Sequence, residues 1–460
     1  MASNSSQGLV KLEYGIEDRP PLGLSMVFGF QHVLVMFSAM IGEPLIIAGI
    51  LKLPMDVTAI LISASMIACG LGTIFQAKGF GFVGSRLPLV MGSFYIFISP
   101  IVAIATTAVS GNVIAGLGAA FTATMFGGLI NVFIAPWFGK LKKFFPPIVT
   151  GTVVTIIGLS LIPIGLAQAV GANTPIYGKP SAIIIGAVTI LSIIIINRIS
   201  QGFIKTISIL LALAVGYVVA ALFGVLDLSG LAAAPWFKIP KIMPFGFVWP
   251  GFSAILVVCI SFLVAAMECT GATLAVASIV GVNADEKRLG GSIAADGLAS
   301  SIGAVLGGSP LTSYSQNTGL ITLTGVGSRY VVFVGGVILL ILGFIPKFAA
   351  LIAAMPGPVL GGALVIMFGM VTSIGVTIIR NSITKERNLL IFATSISLGL
   401  GLSTLPGDAL NALPQTLRLI LSSGMTVGAF TAVFMNLLIP GREDEVDKAE
   451  DKSVDTPMAI

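Results

Sequence analysis

The stretch "SQNTGLITLTG" at 315–325 sets two adjacent carboxamides, Gln316 and Asn317, inside an otherwise apolar run. A carboxamide carries donor and acceptor side by side, so the pair can meet a planar ligand that has both kinds of group on one edge. Four ionisable residues share such apolar surroundings: His32, Glu43, Glu268 and Asp296. Burying charge without a partner is costly, which makes each a functional candidate. Glu268 lies in "VAAMECTGATLA" with Gly271 close by and no lysine or arginine at matching depth. Three readings fit it: a helix–helix hydrogen bond, a neutral acid that donates, or an anion that awaits N–H donors from a substrate. Asp296, in "SIAADGLASS", reads as a helix cap near the surface or as a buried acid that handles protons. His32 is the single histidine, beside Gln31. Alone it builds no metal site, so it is a neutral imidazole bonded to another segment or a proton shuttle. Glu43 precedes Pro44 and either reaches interfacial water or serves function.

The elements that must hold these residues are membrane spans. The chain of 460 residues is 56% hydrophobic and 9% charged, against about 25% charged in a soluble domain. Apolar runs recur at lengths that cross a bilayer as helices, without the period-two alternation of a β-barrel. Spans are expected at 25–48, 55–77, 87–108, 112–136, 145–168, 181–198, 204–226, 249–280, 290–307, 311–325, 330–351, 356–379, 388–405 and 415–439, fourteen in all. More lysines and arginines, among them Lys140, Lys142, Lys143, Arg198, Lys205, Arg380, Lys385 and Arg387, fall on the side of the termini, which places both termini in the cytoplasm. The start "MASNSSQGLVKLEYGIEDRPP" lacks a signal-peptide pattern, and the charged end "GREDEVDKAEDKSVDTPMAI" reads as a solvated tail. Cys69, Cys259 and Cys269 imply neither disulfides nor zinc. The net charge of +5 fits membrane topology and not nucleic-acid binding. No Walker loop or large soluble domain is present, so transport must draw on an ion gradient or on the substrate's own.

Two spans are interrupted by glycine, serine and proline: "LPLVMGSFYIFISP" (87–100) and "GGSPLTSYSQNTGLITLTG" (307–325). Each is third in its half if the spans divide seven plus seven, the pattern of an inverted-repeat transporter with its site near the midplane. The bland alternative is the ordinary glycine and proline content of membrane helices. If 311–315 is extended and a half-helix starts near Gln316, free backbone N–H groups and a positive dipole end face the membrane centre. From Gln316 to Thr324 such a helix covers only about 12 Å. The companion residues Gly92, Ser93, Phe94 and Tyr95 would add backbone groups and an aromatic face.

"QNTGLITLTG" fits the signature Q/E/P-N-x-G-x-x-x-x-T-R/K/G, with Gln316, Asn317, Gly319, Thr324 and Gly325 in its fixed positions. With Gln31–His32 in the first span, Glu268 in the eighth and Asp296 in "ADG" of the ninth, the chain resembles the nucleobase–ascorbate transporter family, nucleobase:cation symporter family 2, over about residues 20 to 440. The resemblance implies an all-α polytopic membrane protein, a 7+7 inverted repeat with short β-strands plus half-helices in spans 3 and 10. It implies cytoplasmic tails at 1–22 and 441–460, a core domain at 23–143 and 247–352, and a gate domain at 144–246 and 353–440. Members carry substrate between spans 3, 8 and 10 in an elevator-like step, commonly as homodimers, and bacterial relatives are proton symporters without cofactor or metal. By that likeness Glu268 would bond ring N–H groups of a nucleobase and Gln316 its other edge, with Ser93, Phe94 and Tyr95 beside it. Asn317, Asp296, His32, Gln31, Gly319 and Thr324 would support the site or its proton coupling. Gln at the first signature position points to the xanthine and urate branch of a plasma (inner) membrane purine permease; uracil carriers tend to have Glu there. The competing expectations are a carrier of another nucleobase, or an anion transporter of the related sulfate and bicarbonate type, which the carboxyl of Glu268 disfavours. Glu43 departs from the family pattern and leaves open a second proton site.

Overall fold

The computed structural model describes residues 12–440 apart from 142–145, 381, 406–408, 410–411 and 422. The 441–460 tail, residues 1–11 of the other tail, and Lys142 and Lys143 lie outside the described residues. In chain order the elements are α1 (Leu22–Ile50), α2 (Met55–Lys78), β1 (Met91–Ser93), α3 (Ile98–Thr107), α4 (Val113–Leu141), α5 (Pro147–Ala169), α6 (Pro180–Ile199), α7 (Gly202–Thr206), α8 (Ser208–Leu222) and α9 (Ser229–Ala233). There follow α10 (Phe252–Ile279), α11 (Glu286–Val305), β2 (Leu311–Ser313), α12 (Asn317–Thr324), α13 (Arg329–Gly343), α14 (Pro346–Ala353), α15 (Gly357–Ile379), α16 (Glu386–Ser403), α17 (Gln415–Leu421) and α18 (Gly424–Leu438).

Seven of these helices are long and apolar enough to cross a membrane, or eight if the bent pair α13 and α14 is one span. Large apolar side chains such as Phe133, Ile183, Ile194 and Phe252 stand exposed along them, as a lipid-facing surface requires. Two expected spans prove to be broken. The one at 330–351 bends by 81° after Gly343, where Pro346 opens α14 without an N–H to continue the ladder. The one at 415–439 divides before α18, whose start is capped by the Ser423 hydroxyl accepting from the Thr426 N–H. The expected span at 204–226 shrinks to the 15 residues of α8.

The chain forms two compact units, one of Met1–Gly139 with Leu161–Phe368 and one of Lys140–Ser160 with Gly369–Ile460. In the first, α13 lies against α1 and α2 through glycines: Gly335 meets Gly29, and Gly336 meets Gly70. A Cβ at any of these would strike the facing backbone, so small residues are what allow the helices to approach this closely. In the second unit Gly399 of α16 faces Gly428 of α18. Arg387 closes the far end of α18 by donating to the carbonyls of Asn436 and Ile439 at 2.8 and 3.0 Å, groups the helix itself leaves unpaired.

Between α2 and α3, and again between α11 and α12, the chain of the first unit includes an extended stretch. β1 pairs antiparallel with β2, Met91 opposite Ser313 and Ser93 opposite Leu311. Flanking bonds from Phe94 N to Pro310 O at 3.0 Å and from Tyr314 N to Val90 O at 2.9 Å lengthen the ladder. All six strand residues are buried, which is how open backbone survives in an apolar protein: it is enclosed by other segments.

Candidate functional site

Each strand runs into a short helix that starts deep in the unit. β1 leads through a turn at Tyr95–Phe97 into α3. β2 leads through Tyr314 and Ser315 into α12, eight residues long. α12 begins where the two carboxamides stand and ends at the last two signature residues. Thr324 bonds back to the Leu320 carbonyl at 2.8 Å, and Gly325 turns left-handed at φ 68° while its N–H caps Ile321, a conformation glycine adopts without strain.

A buried polar hub fixes β2. Asp296, 2% exposed in the interior of α11, accepts from the Thr312 hydroxyl at 3.1 Å, the Ser313 N–H at 3.2 Å and the Ser313 hydroxyl at 2.9 Å. The cap reading of Asp296 is thereby replaced by the buried-acid reading. The cap of α11 is Asp285, which accepts from the Arg288 N–H at 2.8 Å. Thr312 also reaches the Ala265 carbonyl of α10 at 3.4 Å, one turn before Glu268. Ser300, a turn beyond Asp296, accepts from the Leu311 N–H at 2.8 Å.

Gln76 of α2 completes this hub and was not singled out by sequence. Fully buried, it donates to Ser292 O, Ser292 Oγ, Asp296 and Ser313 Oγ at 2.9, 3.0, 3.2 and 2.8 Å, and accepts from Ser85 N at 3.1 Å. The available signal was a lone amide, "FQAK", at the end of an apolar run. Thr273 and Cys269 of α10 also turn to the Ser292 hydroxyl, at 2.9 and 3.2 Å.

Glu268 and Gln316 stand apart from the hub. Glu268 is half-buried and Gln316 exposed, and the side chain of neither makes a hydrogen bond among the described residues. Glu268 is near enough to Asp296 to sense its charge. Gly271 and Gly319 have open space where a Cβ would be. Asn317, one residue on from Gln316, is 0% exposed and its carboxamide lies against the His32 imidazole of α1. The two do not reach hydrogen-bond geometry, and Asn317 Oδ1, Asn317 Nδ2 and His32 Nδ1 remain unpaired, as does Gln31 Oε1.

On the other strand Ser93 is 0% exposed. Phe94 is buried with its ring 6.2 Å from that of Phe97. Tyr95 is turned to α1: its hydroxyl donates to the Ala39 carbonyl at 2.7 Å, and its ring meets Phe368 edge-on at 5.1 Å. Gly92 is required where it stands, because a Cβ there would overlap the Tyr314 ring, whose hydroxyl donates to Ser93 O at 2.6 Å. Glu43 is 0% exposed, which overturns the expectation that it reaches interfacial water: it faces Ser309 and lies within electrostatic reach of Cys69 and Tyr95. Among the described residues no group of three or more His, Cys, Asp or Glu could hold a metal ion.

Residues 23–407 match the family model described as Permease family. The chain belongs to the nucleobase–ascorbate transporter family. It is 36% identical to the uric acid transporter UacT of Escherichia coli over 95% of this chain and 90% of that protein. It is 35% identical to the xanthine permease of Bacillus subtilis over 95% of this chain and 99% of that one. Among solved structures, the transmembrane domain of a cyanobacterial bicarbonate transporter, BicA, matches with a TM-score of 0.60 at 17% identity, covering 92% of this chain and all of that one. That likeness concerns the fold alone. A member of the nucleobase–ascorbate transporter family is a multi-pass membrane permease and not an enzyme.

Proposed function

We propose that this permease imports a purine nucleobase, xanthine or urate, by proton symport. Glu268 takes the ring N–H groups of the base and Gln316 the carbonyl and N–H pair of its opposite edge. Ser93 and Phe94 flank the base, and Tyr95 anchors their segment to α1. Asn317, Asp296, His32, Gln31, Gly319 and Thr324 hold the site and its proton network. The observation that carries this reading is the pair of unbonded groups, Glu268 and Gln316, beside two half-helices whose strands are locked together. An unbonded acid and an unbonded amide together offer donors and acceptors; a purine edge can use both, whereas a simple anion can use only the donors. The names of the relatives, a uric acid transporter and a xanthine permease, agree with it.

The proposal extends to architecture. Fourteen spans form a 7+7 inverted repeat, with core segments 23–143 and 247–352 moving as an elevator against gate segments 144–246 and 353–440. The protein acts as a homodimer in the plasma (inner) membrane with both termini cytoplasmic. The fold shared with a bicarbonate transporter makes anion transport the second reading, against which the carboxyl of Glu268 counts. Uptake of labelled xanthine, urate, guanine and uracil into vesicles, with and without an imposed pH gradient, tests the proposal. Xanthine or urate accumulates only when the gradient points inward. If no base accumulates, or if Glu268→Gln transports like the parent at every pH, the assignment fails.

A further inference from the structure

Glu43 is the single acid of α1, and neither of its carboxyl oxygens finds a hydrogen-bond partner. It faces the hydroxyl of Ser309, which is also fully buried and unpaired. Ser309 stands in the turn between α11 and β2, held there by its N–H donating to Ser65 Oγ of α2 at 2.9 Å. Ser93 at the end of β1 contributes another buried, unpaired hydroxyl, beside the thiol of Cys69 on α2. Cys69 in turn lies within electrostatic reach of Glu43. The orphan oxygens of Glu43, Ser309 and Ser93 therefore gather where α1, α2 and the two strands meet.

The titratable groups that face Glu43 are Cys69 from α2, Tyr95 after β1 and Tyr314 after β2; no lysine, arginine or histidine is among them. A bare carboxylate so enclosed would be prohibitively costly, so the group carries a proton while it is enclosed and can shed it only where it meets water. The neighbours are hydroxyls and a thiol, each able to donate and accept. That set passes protons, and it offers no second carboxylate to help hold a metal ion. Tyr314 lies within electrostatic reach of Glu43 and of Glu268, and its hydroxyl already bonds the Ser93 carbonyl.

We propose that Glu43, with Ser309 and Ser93, is a second proton site of the transporter, so that two protons accompany each base, one on Glu43 and one on Glu268. This rests on the symport reading above. Glu43 gains its O–H proton from the medium on the side where the base binds and returns it to the medium on the other side; no other bond forms or breaks.

The test is the accumulation of neutral xanthine in proteoliposomes at a membrane voltage clamped to zero. Each coupled proton then supports about tenfold accumulation per unit of pH gradient. The parent should reach about a hundredfold and Glu43→Gln about tenfold, with Glu43→Asp restoring the parent ratio. A parent that stops at about tenfold, with Glu43→Gln unchanged, overturns the second site and leaves symport standing. Accumulation that ignores the pH gradient overturns both. Accumulation that follows a sodium gradient in the parent and loses it in Glu43→Gln overturns the proton assignment in favour of a cation site. Should the Gln variant fail to reach the membrane, the parent ratio alone decides.

Discussion

Gln76 and Asp296 meet at 3.2 Å and both bond the hydroxyl of Ser313. The amide comes from the last turn of α2 and the acid from the middle of α11, so two long helices are tied to the strand that leads into α12. The position of the half-helix is thus set by directional bonds, which are more demanding of geometry than apolar contact.

Gln76→Leu keeps the volume but leaves the Ser85 N–H without its acceptor and Ser313 with one partner fewer. A buried group left unsatisfied costs about 1–3 kcal/mol. The expected outcome is a lower unfolding temperature in detergent together with a higher KM for uptake, since Ser313 ends the strand that leads into α12. An unchanged KM in a destabilised protein would mean that the hub holds the fold and not the site.

Gln316→Glu replaces a group that donates and accepts with one that only accepts when ionised. Xanthine should compete about ten- to a hundredfold less well, as expected when a site built to pair a polar edge loses one bond. Asn317→Ala, by contrast, should weaken all bases alike, because Asn317 is buried against His32 and not exposed like Gln316. Competition profiles against labelled substrate separate the two, and identical profiles for Gln316→Glu and the parent would remove the specificity argument.

How much of this was legible beforehand depends on whether the signal was local. Gly92, Ser93, Gly307 and Pro310 break hydropathy in place, so both interrupted spans and the start of α12 at Asn317 could be read from the sequence. Gln76 could not, because its partners Ser292, Asp296 and Ser313 lie more than 200 residues away and a lone amide beside Lys78 resembles an interfacial helix end. Asp296 is ambiguous in sequence because both it and Asp285 precede helix-forming residues, and Asp285 takes the cap. The bend before Pro346 and the break at Ser423 are not legible because hydropathy registers composition and not direction. Glu43 was misplaced for a related reason: its depth along α1 was legible, but what surrounds it comes from α2 and the strands.

Gly92→Ala should be more harmful than its size suggests. The added methyl would fall on the Tyr314 ring, and Tyr314 cannot retreat without giving up its bond to Ser93 O. Overpacking of this kind costs about 1–3 kcal/mol. The β1–β2 pair would be pushed apart, and amide exchange at Phe94 and Tyr314, whose N–H groups cross the ladder to Pro310 O and Val90 O, should quicken relative to the parent. Gly319→Ala, where the space is open, should leave exchange unchanged, which makes it the control.

Residues 13–19, within the segment expected as a cytoplasmic tail, are docked on the end of α12. Glu13 and Tyr14 donate their N–H groups to Gly325 O, and Glu17 makes a two-pronged ion pair with Arg329 at 2.9 and 2.7 Å. Hydrogen bonding from Arg329, only partly opposed by burial, holds the Glu17 carboxyl below its usual pKa. A lowered carboxyl stabilises the folded form above its unfolded pKa, and that contribution is lost as pH falls through the lowered value. Glu17 is 61% exposed, so the effect is small, about 0–1 kcal/mol. Hydrogen exchange at Gly325 to Arg329, taken relative to distant helices so that its intrinsic pH dependence cancels, should therefore be steady from neutral pH down to the ordinary carboxylate range and rise in more acid solution. Glu17→Gln should show the raised exchange already at neutral pH and lose the acid step; a variant that keeps the step would place its origin in another group.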